Sequence, residues 1–375
     1  MSEQETLNIM ALARVGFYNL AATRLLINEL GSATAVVEHR SDLRSVVPDC
    51  SPRLAEMFSS MDDALRRAEM EMAFARQHGI QILCFGQEDY PQRLTHCDDA
   101  PLVLFYRGSV SLNARRVVCI VGTRRCTTYG QDVVRRFLTD LRTLCPDVLI
   151  VSGLAYGIDI CAHRQALANG YDTVGVLAHG LDTLYPSLHR DTALQMTSHG
   201  GLLTEYFTVT KIDKANFVRR NRIVAGMSDA CIVAESPRKG GALITAHLSR
   251  EYGNDVFAFP GRADDKGSEG CNNLIRDNVA GLINNAEDFV KAIMWDDDAV
   301  LARQRSRGIE RQIFPDLNDD ETKVVDALRA INDRNINMLT ISTSLPVSRL
   351  AATLFELEMK GVVRALPGGS YHLIT

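Results

Sequence analysis

Residues 148–163, VLIVSGLAYGIDICAH, decide the fold. Val148, Leu149, Ile150 and Val151 make a short, β-rich apolar run, the pattern of a central parallel strand covered on both faces. Ser152 and Gly153 end the run, and from Gly157 onward the apolar positions follow helical spacing. A strand, a glycine-marked turn and a helix start therefore follow one another directly. Such a turn aims free backbone N–H groups and the positive end of a helix at one point, which suits an anion, most often phosphate. The question is which phosphate.

The chain has 375 residues, 46% of them hydrophobic, enough for two or three domains and at least one large core. Its net charge of −5 argues against a histone-like polycation but allows a local basic face. No run approaches the ~20 apolar residues that span a bilayer, and no apolar segment follows a basic start. A cytoplasmic chain without membrane contact is expected. Nine cysteines (50, 84, 97, 119, 126, 145, 161, 231 and 271) are scattered without a CxxC pair, so reduced, mostly buried thiols are expected. Neither a metal nor another cofactor is implied.

Outward from the opening stretch, strands and helices alternate. RVVCIVG (116–122) precedes it; DTVGVLAHG (172–180), GLLTEY (201–206), ACIVAES (230–236) and DVFAFPG (255–261) follow. IQILCFG (80–86) and PLVLFYRG (101–108) also read as extended, and helices are expected near Gln131–Leu144, from Gly157 to Asn169 and from Gly241. The rhythm predicts a doubly wound, mostly parallel α/β sheet over residues 81–294, with ligands at the carboxyl ends of its strands. Residues 1–80 read as short amphipathic helices broken at Gly16 and Gly31, with a longer helix from Met61 to His78. Two readings of them stand side by side: a helix-hairpin-helix or SAM-like unit touching DNA backbone, and a helical cap for packing or protein contacts. Residues 295–318 have the mixed-charge composition of a linker. The segment 319–375 reads as three helices and a hairpin at Pro367–Gly369, the order of a winged helix. Its second and third helices set Arg349 and Lys360 against Glu356 and Glu358, a balance that weighs against reading duplex DNA.

Three glycine turns carry the chemistry. In VGTRRCTTYG (121–130), Gly122 and Thr123 follow a strand, GxGxxG is absent, and Arg124 and Arg125 offer planar donor forks to a phosphate. The alternative there is a solvated strand end. In SGLAYGID, Ser152 caps or binds an anion and Gly153 permits a tight turn. Asp159 in the first helical turn suits the helix dipole, with His163 one turn on in reach of a hydrogen bond to it. A structural role for that pair is favoured over catalysis, because no nucleophile is placed beside it. The third cluster runs from FVRRNRIVAG (217–226) to SPRKGGALITA (236–246). Between Lys211 and Arg250 stand eight Lys/Arg and three Asp/Glu, a local excess of +5. Arg219, Arg220, Asn221 and Arg222 precede a buried strand, and Lys239, Gly240 and Gly241 follow it before a helix, a plausible phosphate cradle without Walker A spacing. Arg220 and Arg222 are equally suited to ion pairs with Glu205 or Glu235. Asn272 and Asn273 are expected to cap a helix or to donate to a ligand, capping being favoured. Several such cradles without a catalytic set suggest an extended polyanion, with Phe217 and Tyr156 offering base stacking.

Taken together, YPQRL (90–94), DDAPLVLFYRG (98–108), VGTRRCTTYG, VSGLAYGIDICAH, GLDTLYP (180–186), TEY (204–206), FVRRNRIVAG, RKGGALITA, FPG (259–261) and GCNNLI (270–275) resemble, in that order, the DprA/Smf family of DNA-processing proteins. The resemblance implies an extended Rossmann-like domain that binds single-stranded DNA, a homodimer, and delivery of the strand to the RecA recombinase as in natural transformation, without enzymatic activity. It places Arg124, Ser152, Gly153, Arg222, Lys239 and Gly240 in one DNA-contacting pocket. Where Gly240 stands the family carries a small polar residue, so a serine-type donor is missing there. A phosphoribohydrolase-like nucleotide enzyme of the same fold is the alternative. SPRKGGALITA lacks the glutamate which such enzymes carry in the following helix turn.

Overall fold

In the computed structural model, which describes residues 1–295, 317–332, 334–360, 362–366 and 369–373, the chain opens with helices α1 (Glu3–Val15), α2 (Leu20–Leu30), α3 (Ala33–Glu38), α4 (Leu43–Val46), α5 (Pro52–Ser59) and α6 (Asp62–Gln77). Ser2, Ser32 and Ser51 accept first-turn N–H groups and start α1, α3 and α5, and Pro52 sits where its missing N–H is harmless. The apolar faces of these helices, Met10, Leu12, Leu26, Phe58 and Ala68 among them, form one core with Cys84, Val103, Phe105 and Phe207. The helices are thus seated on the sheet.

The alternating region follows as β1 (Gln81–Cys84), β2 (Val103–Gly108), β3 (Val117–Gly122), α7 (Thr128–Leu144), β4 (Leu149–Ser152), α8 (Ile158–Ala168), β5 (Thr173–Val176), α9 (Arg190–Ser198), β6 (Gly200–Thr204), α10 (Lys214–Gly226), β7 (Ala230–Glu235), α11 (Gly241–Glu251), β8 (Asp255–Ala258), α12 (Glu269–Arg276), β9 (Gly281–Leu282) and α13 (Ala286–Ala292). The strands form one sheet in the order β1-β2-β6-β5-β4-β3-β7-β8-β9. Pairings among β3 to β9 are parallel, whereas β2 runs antiparallel to both β1 and β6. Alternation along β3 shows why the sheet is covered on both faces. Val117, Cys119 and Val121 join a core with Ile223, Val224, Ala246 and Leu274 from α10–α12, while Val118 and Ile120 join one with Phe137, Ala162 and Phe289 from α7, α8 and α13. This is an α/β protein with an extended Rossmann-like, doubly wound sheet. Strand order reverses at β3, flanked by β4 on one side and β7 on the other, and that is where such sheets hold ligands.

The expected linker falls almost wholly on 296–316, outside the described residues. The residues beyond it are a second compact unit, a winged helix of α14 (Asp319–Ala330), β10 (Arg334–Asn335), α15 (Ile336–Thr343), α16 (Val347–Met359), β11 (Val363–Leu366) and β12 (Ser370–Leu373). Asn318 and Glu321 form a capping box at the start of α14. Lys360 donates to the buried Glu321 carboxylate at 2.7 and 2.8 Å, and Arg349 pairs with Asp320. Arg349 and Lys360 thus both answer acids of α14. All nine cysteines are free and seven are buried, with Cys126 and Cys161 half-buried. Among the described residues no single helix is long and apolar enough to cross a membrane.

Candidate nucleic-acid interface

At the switch point, the carboxyl ends of β3, β4 and β7 and the starts of α10 and α11 enclose a cavity of about 500 Å3. It is lined by Gly122, Thr123 and Arg124 from the first turn, Gly153 and Asp159 from the second, Phe217, Arg220 and Asn221 from α10, and Lys239, Gly240 and Gly241 from the third turn. The three glycine turns, far apart in sequence, meet here. They are also locked together. Gly157 adopts φ +78°, and a Cβ there would lie 2.1 Å from the Thr123 carbonyl oxygen, so only glycine allows the second turn to lie against the first. Ile158 N–H donates to that same carbonyl at 3.1 Å, and Thr123 N–H donates to the Glu235 carbonyl at 2.7 Å.

Several polar groups of the lining are available to a ligand. Gly240 caps α11 without a side chain, so the first-turn N–H groups of an 11-residue helix face an anion with no internal competitor. Arg124 and Lys239 are exposed and, among the described residues, form no ion pair. The Arg124 guanidinium lies over the Phe217 ring, 5.0 Å from its centroid, and is held there without losing its donors. Arg125 and Lys214 also line the cavity. Lys214 had no motif to announce it; its place follows from the turn that starts α10.

Two buried charged side chains, Arg220 and Asp159, belong to the same cavity. Arg220 is 3% exposed, and its Nη1 donates to the Gly153 carbonyl at 2.6 Å and to the Val176 carbonyl. Its nearest opposite charge is Asp159, which accepts from the Ala155 N–H at 3.4 Å. Burial pushes the Asp159 carboxyl up, against the pull of Arg220 and Arg124, and burial likewise lowers Arg220 to about 10 against the pull of Asp159. A Cβ on Gly153 would stand 2.3 Å from Arg220 Nη2, so the second turn is shaped around this side chain.

Two residues expected in the pocket, Arg222 and Ser152, do not line it. The RRNR stretch is the middle of helix α10, and Arg220 and Arg222, about 200° apart on it, point different ways. Arg222 pairs with Glu205, and its Nη1 donates to the Asp99 carbonyl at 2.7 Å. It takes no part in lining the cavity. The Ser152 hydroxyl is fully buried and donates to the Ile120 carbonyl at 2.6 Å. His163 does not bond Asp159. Its Nδ1 pairs with the Thr173 hydroxyl at 2.7 Å, because one helical turn carries it to the β5 side of α8. Asn272 caps nothing either; it brackets Gly261, accepting its N–H at 3.0 Å and donating to its carbonyl at 3.2 Å. Tyr156 stands edge-on to His189 in a neighbouring groove beside Arg125.

His163 carries a pH signature. Complete burial pushes its imidazole from 6.5 down to about 3. Between those values the unfolded chain binds a proton that the folded chain does not. Stability is therefore complete above about pH 6.5 and falls on acidification, by up to about 1.4 kcal/mol per pH unit from this group. Urea midpoints at pH 7 and pH 5 should differ accordingly, and His163→Gln should flatten the difference. An unchanged drop in the variant would assign it to other groups.

Residues 81–294 match the family described as DNA recombination-mediator protein A, and residues 311–369 match the DprA winged helix domain. Protein Smf of Escherichia coli is 31% identical over 328 residues, 82% of this chain and 84% of its own length. DNA processing protein DprA of Streptococcus pneumoniae is 36% identical over 235 residues, 63% of this chain and 79% of its own. The X-ray structure of the Streptococcus pneumoniae protein superposes with a TM-score of 0.65 at 33% identity, covering 76% of this chain and 97% of that one. A structure of the Helicobacter pylori DNA processing protein A, described for its single-stranded DNA binding mode, gives a TM-score of 0.52 at 29% identity, covering 58% and 96%. With its central domain, its winged helix and their order all matched, the chain belongs to the DprA/Smf family of DNA-processing proteins.

Proposed function

We propose that this chain binds single-stranded DNA at the switch-point cavity and passes the strand to the RecA recombinase, protecting it meanwhile, as natural transformation requires. One observation carries the reading: the uncapped N-terminus of α11 opens onto the same cavity as Arg124 and Lys239, two exposed cations that form no ion pair among the described residues. A phosphate seated there receives backbone N–H groups and charged donors at once. Phe217, already backed by Arg124, offers a ring face to a base, and a π-face serves any base, so sequence preference is weak. The acid in the cavity, Asp159, is turned toward Arg220 and backbone N–H groups, which suits a binding role rather than a catalytic one. The chain acts in the cytoplasm as a homodimer.

Fluorescence anisotropy with labelled oligo-dT, between 50 and 300 mM salt, tests the binding claim. The affinity should fall linearly on logarithmic axes, with a slope of about −0.7 for each phosphate neutralised. Duplex DNA of equal length should bind more weakly. Salt-independent binding, duplex preference, or release of free base from a nucleoside monophosphate would overturn the reading.

A further inference from the structure

Arg124 and Arg125 line the switch-point cavity, and both also line a second groove, of about 410 Å3. The two spaces therefore meet at the first glycine turn. Gln131 from α7 and Arg164 and Gln165 from α8 form the rest of the polar lining, with Tyr156 from the turn before α8. Arg164 and Gln165 share a wall with Ile160 and Cys161, because residues four apart on a helix lie on one face.

The groove carries three arginines and no carboxylate. All three are exposed, and among the described residues none forms an ion pair. Asp132, the acid nearby on α7, is engaged by Arg135 at 3.0 Å. Arg164 is held from behind. Its Nε donates to Thr192 Oγ1 at 3.3 Å, and among the described residues its two Nη groups have no hydrogen-bond partner. A planar fork fixed at one end, with its outer donors unengaged, suits the paired oxygens of a phosphate. Charges of one sign lining one groove also concentrate the field there and draw in an anion. A small anion finds its donors at the start of α11, Arg124 and Lys239. A second cationic groove continuous with that site adds contacts for a ligand that carries further phosphates.

We propose that this groove holds the backbone of the bound strand beyond the switch-point cavity, with Arg164 on a phosphate that the cavity itself does not reach. The proposal rests on the single-strand reading above. It gives the strand a course: from the start of α11, across the first glycine turn, onto α8.

Arg164 lines the groove and not the cavity, so oligomer length separates the two. A dT trimer occupies the cavity alone, whereas an oligo-dT of about 16 nucleotides, the upper end of what one such groove tracks, extends over both. In anisotropy titrations of the full chain, Arg164→Ala should weaken the long oligomer about tenfold, the worth of one hydrogen bond to a charged group. The logarithmic salt slope should lose about 0.7, one phosphate contact. Trimer affinity should be unchanged. Arg164→Lys keeps the charge and loses the fork, so it should restore the slope and only part of the affinity. An Arg164→Ala slope equal to that of the unaltered chain, a trimer weakened as much as the long oligomer, or a slope that lysine fails to restore overturns this proposal alone. If neither oligomer binds the unaltered chain, the DNA reading falls and this proposal with it.

Discussion

Replacing Arg124 and Lys239 together by alanine is expected to weaken oligo-dT binding by roughly 100-fold at low salt while leaving the thermal midpoint within a degree or two. Each side chain is exposed and, among the described residues, free of ion pairs, so neither removal orphans a buried partner. A hydrogen bond to a charged group contributes about 1.5 kcal/mol or more. Two of them amount to about 3 kcal/mol, which at 1.4 kcal/mol per decade is about two orders of magnitude. The salt dependence is the more discriminating readout. If both groups meet phosphates, the logarithmic slope should lose about 1.4, at about 0.7 per lost contact. An unchanged slope would mean that the strand runs elsewhere, whatever the affinity does.

Arg220→Met is expected to act in the opposite manner, on the fold first. The substitution strips the buried Asp159 of its counter-charge and leaves the Gly153 and Val176 carbonyls without their donor. Leaving a buried charge uncompensated is unfavourable by about 3–5 kcal/mol. That corresponds to a fall of roughly 10 °C in the midpoint of a domain this size. Coupling is the decisive test. In the double variant Asp159→Asn, Arg220→Met the orphaned charge disappears, so part of the loss should be recovered. Strict additivity in a denaturation cycle would show that Arg220 acts as a packing residue alone.

The strands and the glycine turns were legible in the sequence because each signal is local. VVCIVG, VLIVSG and CIVAES are apolar runs that end in a glycine or a small polar residue, and periodicity reads such runs directly. The meeting of the turns could also be anticipated, since ligands of doubly wound sheets sit at strand ends. What could not be read was direction around α10. FVRRNRIVAG places four polar residues in succession, and no pattern within it says that Arg220 goes under the floor, Asn221 to α11 and Arg222 to Glu205. That depends on Gly153 leaving room for a guanidinium, 67 residues away in sequence. The partner of His163 was hidden for a similar reason. Thr173 lies on the next strand, and the helical spacing that sets His163 one turn from Asp159 says nothing about β5. Glu205 and Asp99, at either end of the Arg222 contact, are likewise joined only by the folded chain.

The contact between Gly157 and the Thr123 carbonyl makes the first two phosphate turns a single rigid part. A flexible polymer laid on such a part must take its backbone spacing from the protein. The ordering then falls on the nucleic acid, and little of it on the site. On the proposed reading the turns behave as a gauge block: whatever bases the strand carries, it would leave the cavity at a fixed pitch.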